Sequence, residues 1–338
     1  MITDPRAAAA ALLNGALVIL PTETVYGLAG RADDPAAVAR IYAVKGRPSR
    51  HPVIVHVADA HLDPDAPGAW VRDVPDYAHQ LAEAFWPGPL TLVLPRSGRA
   101  TDDVTGGQDT VAVRVPAHPL ALEVLRTMDE IDPEGTPHGV AAPSANRFGH
   151  VSPTQLEHAL ADLRDLLADT DGALDGGPCA VGVESTIVDC TGAQPRVLRP
   201  GGIGVADIER VTGLEALDAT SSGIRVPGAL PSHYAPRAAL ALATDGDALA
   251  AYVEAAVEGG STPDTIGVIA EAGIATPEGA ARLLAPDTSE AYARGLYDAL
   301  RRADTIGVTF IVAVPPGADA EGVSEAIADR LRRASAPR

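Results

Sequence analysis

Three cations crowd one short stretch of the chain: Lys45, Arg47 and Arg50 fall within six positions, interleaved with Gly46, Pro48 and Pro52. Lys45 is the only lysine; every other Lys/Arg position is arginine. Arginine-favouring coding or a salt-adapted acidic surface explains the general absence of lysine but not the exception. A lone ammonium among guanidinium groups fits a place that needs a compact, flexible point charge instead of a planar fork. Cations closing a helix also complement its dipole. The stiffening prolines leave open a second reading, in which these charges are held for an anion. Arg199, ending the strand-like run from Arg196, has the fork that grips carboxylate or phosphate bidentately, or is a surface arginine.

Polar residues interrupt several apolar strands. In the run Thr110 to Val115 the valines share one face, while Thr110, Ala112 and Arg114 share the other. Thr110 and Arg114 then lie about 13 Å apart, a span that suits two ends of an extended ligand. His56 breaks the strand Pro52 to Val57 in the same way, and the run after Leu20 places Thr22, Thr24 and Tyr26 on one side. An antiparallel sheet with one wet face accounts for any single strand; several doing it together favour a polar, ligand-holding cavity. Pro143-Ser144-Ala145-Asn146 leaves a strand end and leads to Ser152. Ser152, Pro153 and Gln155 fit a capping box, and that helix start could also present Ser152 to a phosphate or ribose.

Other chemistries lack their signatures. Lys45 is followed by Gly46-Arg47, so there is no P-loop, and no G-x-G-x-x-G follows a strand. Gly201-Gly202-Ile203-Gly204 reads equally well as a turn. His51 and His56 point to opposite faces of an extended segment, no His/Cys/Asp cluster has metal spacing, and no serine sits in a G-x-S-x-G elbow. Cys179 and Cys190 make no disulfide framework.

The elements that must position these residues alternate. Helices are expected at Ala7 to Asn14, from Asp34-Pro35 to Lys45 with Gly46 as the stop, Asp76 to Phe85, His118 to Met128, and from Ser152-Pro153. Strands are expected at Ala16 to Leu20, Pro52 to Val57, Leu90 to Leu94, Thr110 to Val115, near Ala141-Ala142, and Ser185 to Val188. Between about Leu217 and Arg237 the pattern breaks; Ser221, Ser222, Gly223, Pro227, Gly228, Pro231 and Pro236 read as a linker. Beyond it, strands Ala239 to Ala243, Thr265 to Ala270 and Val308 to Val314 alternate with helices Gly246 to Val257, Ser289 to Arg302 and Gly322 to Arg333. Strands separated by helices of this length imply a parallel sheet with covered faces, so the C-terminal hundred residues read as a small three-layer α/β domain.

The 338 residues fit about two domains. Basic residues number 26 against 45 acidic, a net charge of −19, which opposes a general nucleic-acid-gripping surface and leaves room for a local basic cleft. No apolar run approaches the roughly 18 residues of a membrane helix, and Met1 to Ala11 lacks a signal-peptide pattern, so a cytoplasmic protein is expected.

Taken together, several segments resemble the YrdC-like family in its long, two-domain form, the threonylcarbamoyl-AMP synthases. The resemblance rests on Pro21 to Leu28 (PTETVYGL), Lys45-Gly46-Arg47-Pro48, Pro52 to His56, Trp86 to Thr91 (WPGPLT), Val113 to Pro116, Pro143 to Asn146 and Glu184 to Asp189. These motifs run in family order over about residues 1–215, and Ser232 to Pro236 resembles the long form's linker. The resemblance implies an N-terminal YrdC-like α/β domain (1–215) with a twisted mixed sheet and a concave ligand cavity. A linker or lid (216–237) and a small C-terminal Rossmann-like three-layer α/β domain (238–338) would follow.

The activity implied is nucleotidyl transfer: L-threonine, bicarbonate and ATP give L-threonylcarbamoyladenylate and pyrophosphate. The product serves threonylcarbamoyladenosine modification of tRNA beside the anticodon. The resemblance maps the threonine pocket to Thr24, His56, Arg114, Ala142 and Ser185. It maps the ATP site to Lys45, Arg47, His51, Thr110, Ser144, Ser152, Arg199 and Tyr234, with Lys45 and Arg47 catalytic, no protein-held metal, and Mg²⁺ accompanying the phosphates. The His51 position is usually asparagine in the family, and Ile224 to Ala229 depart from its commoner linker pattern. Partners implied are the tRNA-modifying threonylcarbamoyl transferase machinery, with weak or indirect tRNA contact and no membrane. The alternatives are a related carbamoyl-adenylate transferase, which would carry zinc-finger and acylphosphatase modules, and an RNA-binding or ribosome-assembly factor of the same fold.

Overall fold

The computed structural model describes residues 4–59, 62–132, 136–219, 222–228, 234–317 and 322–336. Of the residues read above, Met1, Ser221, Ala229, Pro231, Ser232 and His233 lie outside these.

Helix α1 (Pro5–Leu13) starts where the Asp4 carboxylate accepts the Arg6 and Ala7 amides, and its apolar face packs on α5. Strands β1 (Val18–Leu20) and β2 (Gly27–Arg31) precede α2 (Pro35–Lys45). Asp34 caps α2 through the Ala36 amide, Pro35 supplies its first position, and Gly46 closes it with φ 62°. Next come β3 (Ile54–Val57), α3 (Asp76–Phe85), β4 (Leu90–Pro95), α4 (Asp102–Thr105), β5 (Thr110–Arg114), α5 (Pro119–Ile131) and β6 (Gly139–Ala141). The first half ends with α6 (Leu156–Leu163), β7 (Gly172–Ala173), β8 (Thr186–Asp189), β9 (Arg196–Arg199) and α7 (Val205–Thr212). After the linker follow β10 (Ala239–Leu242), α8 (Gly246–Glu258), β11 (Ile266–Ile269), β12 (Ala281–Leu284), α9 (Ser289–Ile306), β13 (Phe310–Ala313) and α10 (Val323–Ser335).

Two sheets result. The first nine strands form one sheet in the order β7-β1-β2-β6-β3-β5-β4-β8-β9, and the last four form a second, β10-β13-β11-β12. The second is parallel at every pairing, with α9 and α10 packed on one face and α8 on the other, so it is a three-layer α/β unit. The first is mixed: β1·β7, β3·β5 and β4·β8 are parallel, the remaining pairs antiparallel. The first sheet agrees with the mixed sheet the resemblance implies, and the second with the parallel sheet expected from strand–helix alternation beyond Arg237. Short returns such as that from β8 to β9 admit only antiparallel pairing.

Strand alternation sorts the large sheet's two faces. Val55 and Val57, Val111 and Val113, and Leu90, Leu92 and Leu94 enter the main core under the helices. Ile54, Ala112, Val93 and Ile187 turn the other way and are covered by Val226, with Ile224 alongside. Ile224 and Val226 therefore lie on the face that also carries His56 and Arg114.

Two local expectations are overturned. The helix expected from Ser152 begins at Leu156, with Gln155 as its N-cap and no side-chain cap, because the Ser152 hydroxyl donates to Glu184 instead. Pro21 to Tyr26 is bent rather than extended, so Tyr26 does not share a side with Thr22 and Thr24; its hydroxyl donates to Gly177 O, 2.8 Å away.

Candidate active site

The parallel register of β3 and β5 sets His56 directly beside Arg114. Both side chains are buried, and both line one cavity, open to solvent, with about 560 Å³ of space unfilled by atoms counting its open mouth. Arg114 is held from three sides: Nε donates to Gly88 O (3.1 Å), Nη1 to Thr24 Oγ1 (3.0 Å) and Nη2 to Glu23 Oε1 (2.5 Å). Glu23 is fixed in turn, since its Oε2 accepts the Ala117 amide at 3.0 Å. Two of the five guanidinium N–H donors remain, in a fixed plane. Thr24 Oγ1 is also paired with Thr22 Oγ1 at 2.9 Å. His56 Nδ1 is buried with no hydrogen-bond partner, and burial followed by the Arg114 charge depresses the imidazole pKa to about 3. A neutral ring beside a fixed cation is equipped for a small zwitterion: cation for carboxylate, imidazole and hydroxyls for the remainder.

The opposite wall holds two more guanidinium groups. Arg47 Nη2 donates to Pro52 O at 2.7 Å, and its buried Nε has no partner. Arg199 donates from Nε and Nη2 to Ser185 O (3.2 and 2.8 Å), from Nη2 to Ser185 Oγ (3.1 Å) and from Nη1 to Pro227 O (2.9 Å). Among the described residues neither has a carboxylate at ion-pair distance. Buried cations without counter-charges are costly unless an anion arrives to neutralise them.

Of the residues singled out in the sequence, Thr24, His56, Arg114, Ala142 and Ser185 line this cavity, as do Arg47, Ser144, Arg199 and Tyr234. Lys45, His51, Thr110 and Ser152 do not. Lys45 Nζ donates to Ser144 O and Asn146 O, both at 2.5 Å, and so stands behind the wall. Burial, then Arg47, pushes its pKa well below the ordinary lysine value. His51 lies edge-on to Phe148 with ring centroids 5.7 Å apart, and Thr110 pairs with Pro95 at the far end of β5. Ser152 is buried beneath the wall, its Oγ 2.6 Å from Glu184 Oε1. Residues without an assigned role in the sequence also matter here: Thr22, Glu23 and Glu184 from quoted motifs, and Arg330 and Tyr297 from the C-terminal helices.

The donor set bears on a resident metal. Glu23 has both oxygens engaged, and Glu184 accepts Ser152, Tyr297 and Arg330. No group of three or more His, Cys, Asp or Glu side chains among the described residues is arranged for a cation. The residues therefore do not fit a chain-held Mg²⁺.

A mixed sheet carrying a cation-lined cavity, joined to a small parallel α/β unit, defines the class: a two-domain enzyme built on a YrdC-like domain. The Sua5/YciO/YrdC family, described as telomere recombination, matches residues 10–201, and the threonylcarbamoyl-AMP synthase C-terminal domain matches residues 203–336. The chain is 38% identical over 342 residues to a threonylcarbamoyl-AMP synthase of Pyrococcus abyssi, covering 98% of this chain and 93% of the relative. It is 39% identical over 343 residues to the Bacillus subtilis threonylcarbamoyl-AMP synthase, covering 99% and 94%. It also superposes on the crystal structure of P. abyssi Sua5 complexed with L-threonine with a TM-score of 0.85 and 37% identity, covering 98% of this chain and 94% of that one. The chain belongs to the threonylcarbamoyl-AMP synthase family in its two-domain form, a family of nucleotidyltransferases.

Proposed function

We propose that this enzyme converts L-threonine, bicarbonate and ATP to L-threonylcarbamoyladenylate and pyrophosphate. The observation that carries this reading is the set of three guanidinium groups, Arg47, Arg114 and Arg199, around one cavity. Arg114 is braced by Glu23 and Thr24 for a carboxylate, while neither of the other two has a carboxylate at ion-pair distance among the described residues.

In this reading Arg114 takes the threonine carboxylate, and Thr24, His56, Ala142 and Ser185 shape the space around its amine and side chain. The amine attacks bicarbonate, and loss of water leaves the carbamate. A carbamate oxygen then attacks the α-phosphorus of ATP, the bond to the β-phosphate oxygen breaks, and pyrophosphate departs. Arg47 and Arg199 neutralise phosphate charge as it shifts to the leaving group. Ser144 and Tyr234 flank the nucleotide. Lys45 and Ser152 act from behind, holding Ser144 and Glu184, and His51 and Thr110 contact ATP only if the nucleotide extends past the cavity. Residues 1–215, 216–237 and 238–338 serve as catalytic domain, linker and appended domain.

The proposed setting is the cytoplasm, where the adenylate would feed the transferase machinery that modifies tRNA beside the anticodon; no helix among the described residues is long and apolar enough to cross a membrane. The test is pyrophosphate release from ATP and bicarbonate with L-threonine, L-serine, L-valine or no amino acid. Threonine-dependent release with the matching adenylate mass is expected. No release with any amino acid, from folded protein across a range of salt, overturns the reading.

A further inference from the structure

The C-terminal domain reaches the cavity through one carboxylate. Glu184 lines the cavity wall beside Ser185. Its Oε1 accepts the Ser152 hydroxyl at 2.6 Å; its Oε2 accepts both the Tyr297 hydroxyl and Arg330 Nε at 2.8 Å. Tyr297 projects from α9 and Arg330 from α10, both helices of the second sheet's domain.

Arg330 is fully buried and every part of its fork is engaged. Nη1 meets Asp329 Oδ2 at 2.5 Å, Nη2 donates to Pro200 O at 3.0 Å, and the guanidinium lies 5.1 Å from the centre of the Tyr234 ring. The Tyr234 ring, itself part of the cavity wall, stacks on Tyr297 with centroids 5.7 Å apart. One cation thus touches the wall at Glu184 and at Tyr234, and also holds Pro200, the residue that follows Arg199.

Two domains could dock through apolar surface alone, and Val25, Val151 and Val183 do share one buried apolar cluster with residues of α9 and α10. Replacing buried ion pairs by apolar groups is often neutral for stability, so a network this complete is weakly explained by stability. It is better explained by what it fixes. Ser152, Ser185, Arg199 and Tyr234 are all one bond or one residue away from atoms that Arg330 and Tyr297 hold. Fully satisfied networks in a low dielectric rigidify what they hold, and a preorganised site needs its groups fixed to within about 0.5 Å.

We propose that Arg330 and Tyr297 are positioning residues of the active site, holding Glu184 and thereby the nucleotide-facing wall in its working arrangement. The C-terminal domain then completes the ATP site, and the inference rests on the reading that ATP enters this cavity.

The test uses the full-length chain with Tyr297→Phe, Arg330→Met, Glu184→Gln and the Arg330→Met/Glu184→Gln pair, each checked by thermal melting. Expected is a rise of about tenfold or more in KM for ATP in Arg330→Met and a smaller rise in Tyr297→Phe, with KM for threonine moving less than about threefold. The double variant should be no worse than the poorer single one, because both act through one carboxylate. If Arg330→Met does not fold, Tyr297→Phe decides, since it removes only a hydroxyl. ATP KM within about twofold of wild type in folded variants, or losses confined to kcat and melting temperature, overturns the proposal. A wild-type chain with no threonine-dependent pyrophosphate release defeats the assigned reaction instead. Calorimetric titration of ATP into wild type and Tyr297→Phe then still reads the positioning: weaker binding in the variant supports it and equal binding overturns it.

Discussion

Lys45 Nζ sits 2.5 Å from Ser144 O, so the only lysine of the chain fastens the end of α2 to the loop that follows β6. A second bond to Asn146 O and a return bond from the Phe148 amide to Lys45 O (2.9 Å) complete the clasp. A slender ammonium can reach two carbonyls from one point; a planar guanidinium of greater width cannot occupy the same volume. Lys45→Met keeps the stem and leaves both carbonyls without their donor. Pyrophosphate release should fall by about a hundredfold, with a lowered melting temperature, and Lys45→Arg should not restore it. Full activity in Lys45→Met would remove Lys45 from the machinery altogether.

Arg114 is braced by Gly88, Thr24 and Glu23 so that its plane cannot turn. Arg114→Lys keeps the charge but loses the fork and strands the Glu23 carboxylate with a partner of the wrong shape. KM for threonine should rise by about a hundredfold while KM for ATP changes by less than about threefold, as steady-state kinetics in each substrate would show. Equal rises in both would place Arg114 outside the amino-acid pocket.

How far the sequence could lead is clearest at this pair of neighbours. His56 and Arg114 were legible because a polar residue inside an apolar strand breaks the alternation, and the β3·β5 register then sets them side by side. Caps were legible for the same local reason: Asp34, Pro35 and Gly46 bound α2 as their chemistry dictates. What failed was non-local. Ser152 and Gln155 have a capping-box pattern, but the hydroxyl is claimed by Glu184, 32 residues on. The other partners of Glu184, Tyr297 and Arg330, lie 113 and 146 residues away, beyond any periodicity. Gly201 read as a simple turn, yet a Cβ there would lie 2.1 Å from Thr186 N, so the site needs glycine for close backbone approach.

Stability should depend on pH through two buried groups. Burial, then Arg114, lowers the His56 pKa from 6.5 to about 3. Between those values the unfolded chain binds a proton that the folded chain refuses, so this contribution is complete above pH 6.5 and declines as pH falls toward about 3. Glu184 acts in the same direction at lower pH. Burial raises its carboxyl, but Arg330, Arg199 and the Ser152 hydrogen bond outweigh it and hold the pKa at about 2, below the ordinary 4.5. Its contribution is present above 4.5 and is lost as pH falls through about 2. Urea unfolding from about pH 7 to about pH 4 should show wild type losing stability more steeply than His56→Gln. Parallel pH dependences in the two proteins would contradict a neutral, buried His56.

Gly228 and Tyr234 meet at the cavity wall. Gly228, at φ +77°, is in a conformation that favours glycine, and a Cβ there would lie 2.1 Å from the Tyr234 hydroxyl and 3.1 Å from Arg199 Nη1. Upstream, Gln108 clamps the linker in both directions: Nε2 donates to Arg225 O at 3.0 Å, and Oε1 accepts the Arg225 amide at 2.7 Å. Gln108 therefore seats Arg225 close in sequence to Pro227 and Gly228, which line the cavity. Gly228→Ala forces Tyr234 away from Arg199 and adds backbone strain at the same point. Pyrophosphate release should drop by about tenfold or more, with a rise in KM for ATP. ATP should protect the linker from protease in wild type, and that protection should vanish in Gly228→Ala and in Tyr234→Ala. Protection that persists in both variants would show that the linker does not close on the nucleotide through Tyr234, and that Arg47 and Arg199 alone retain it.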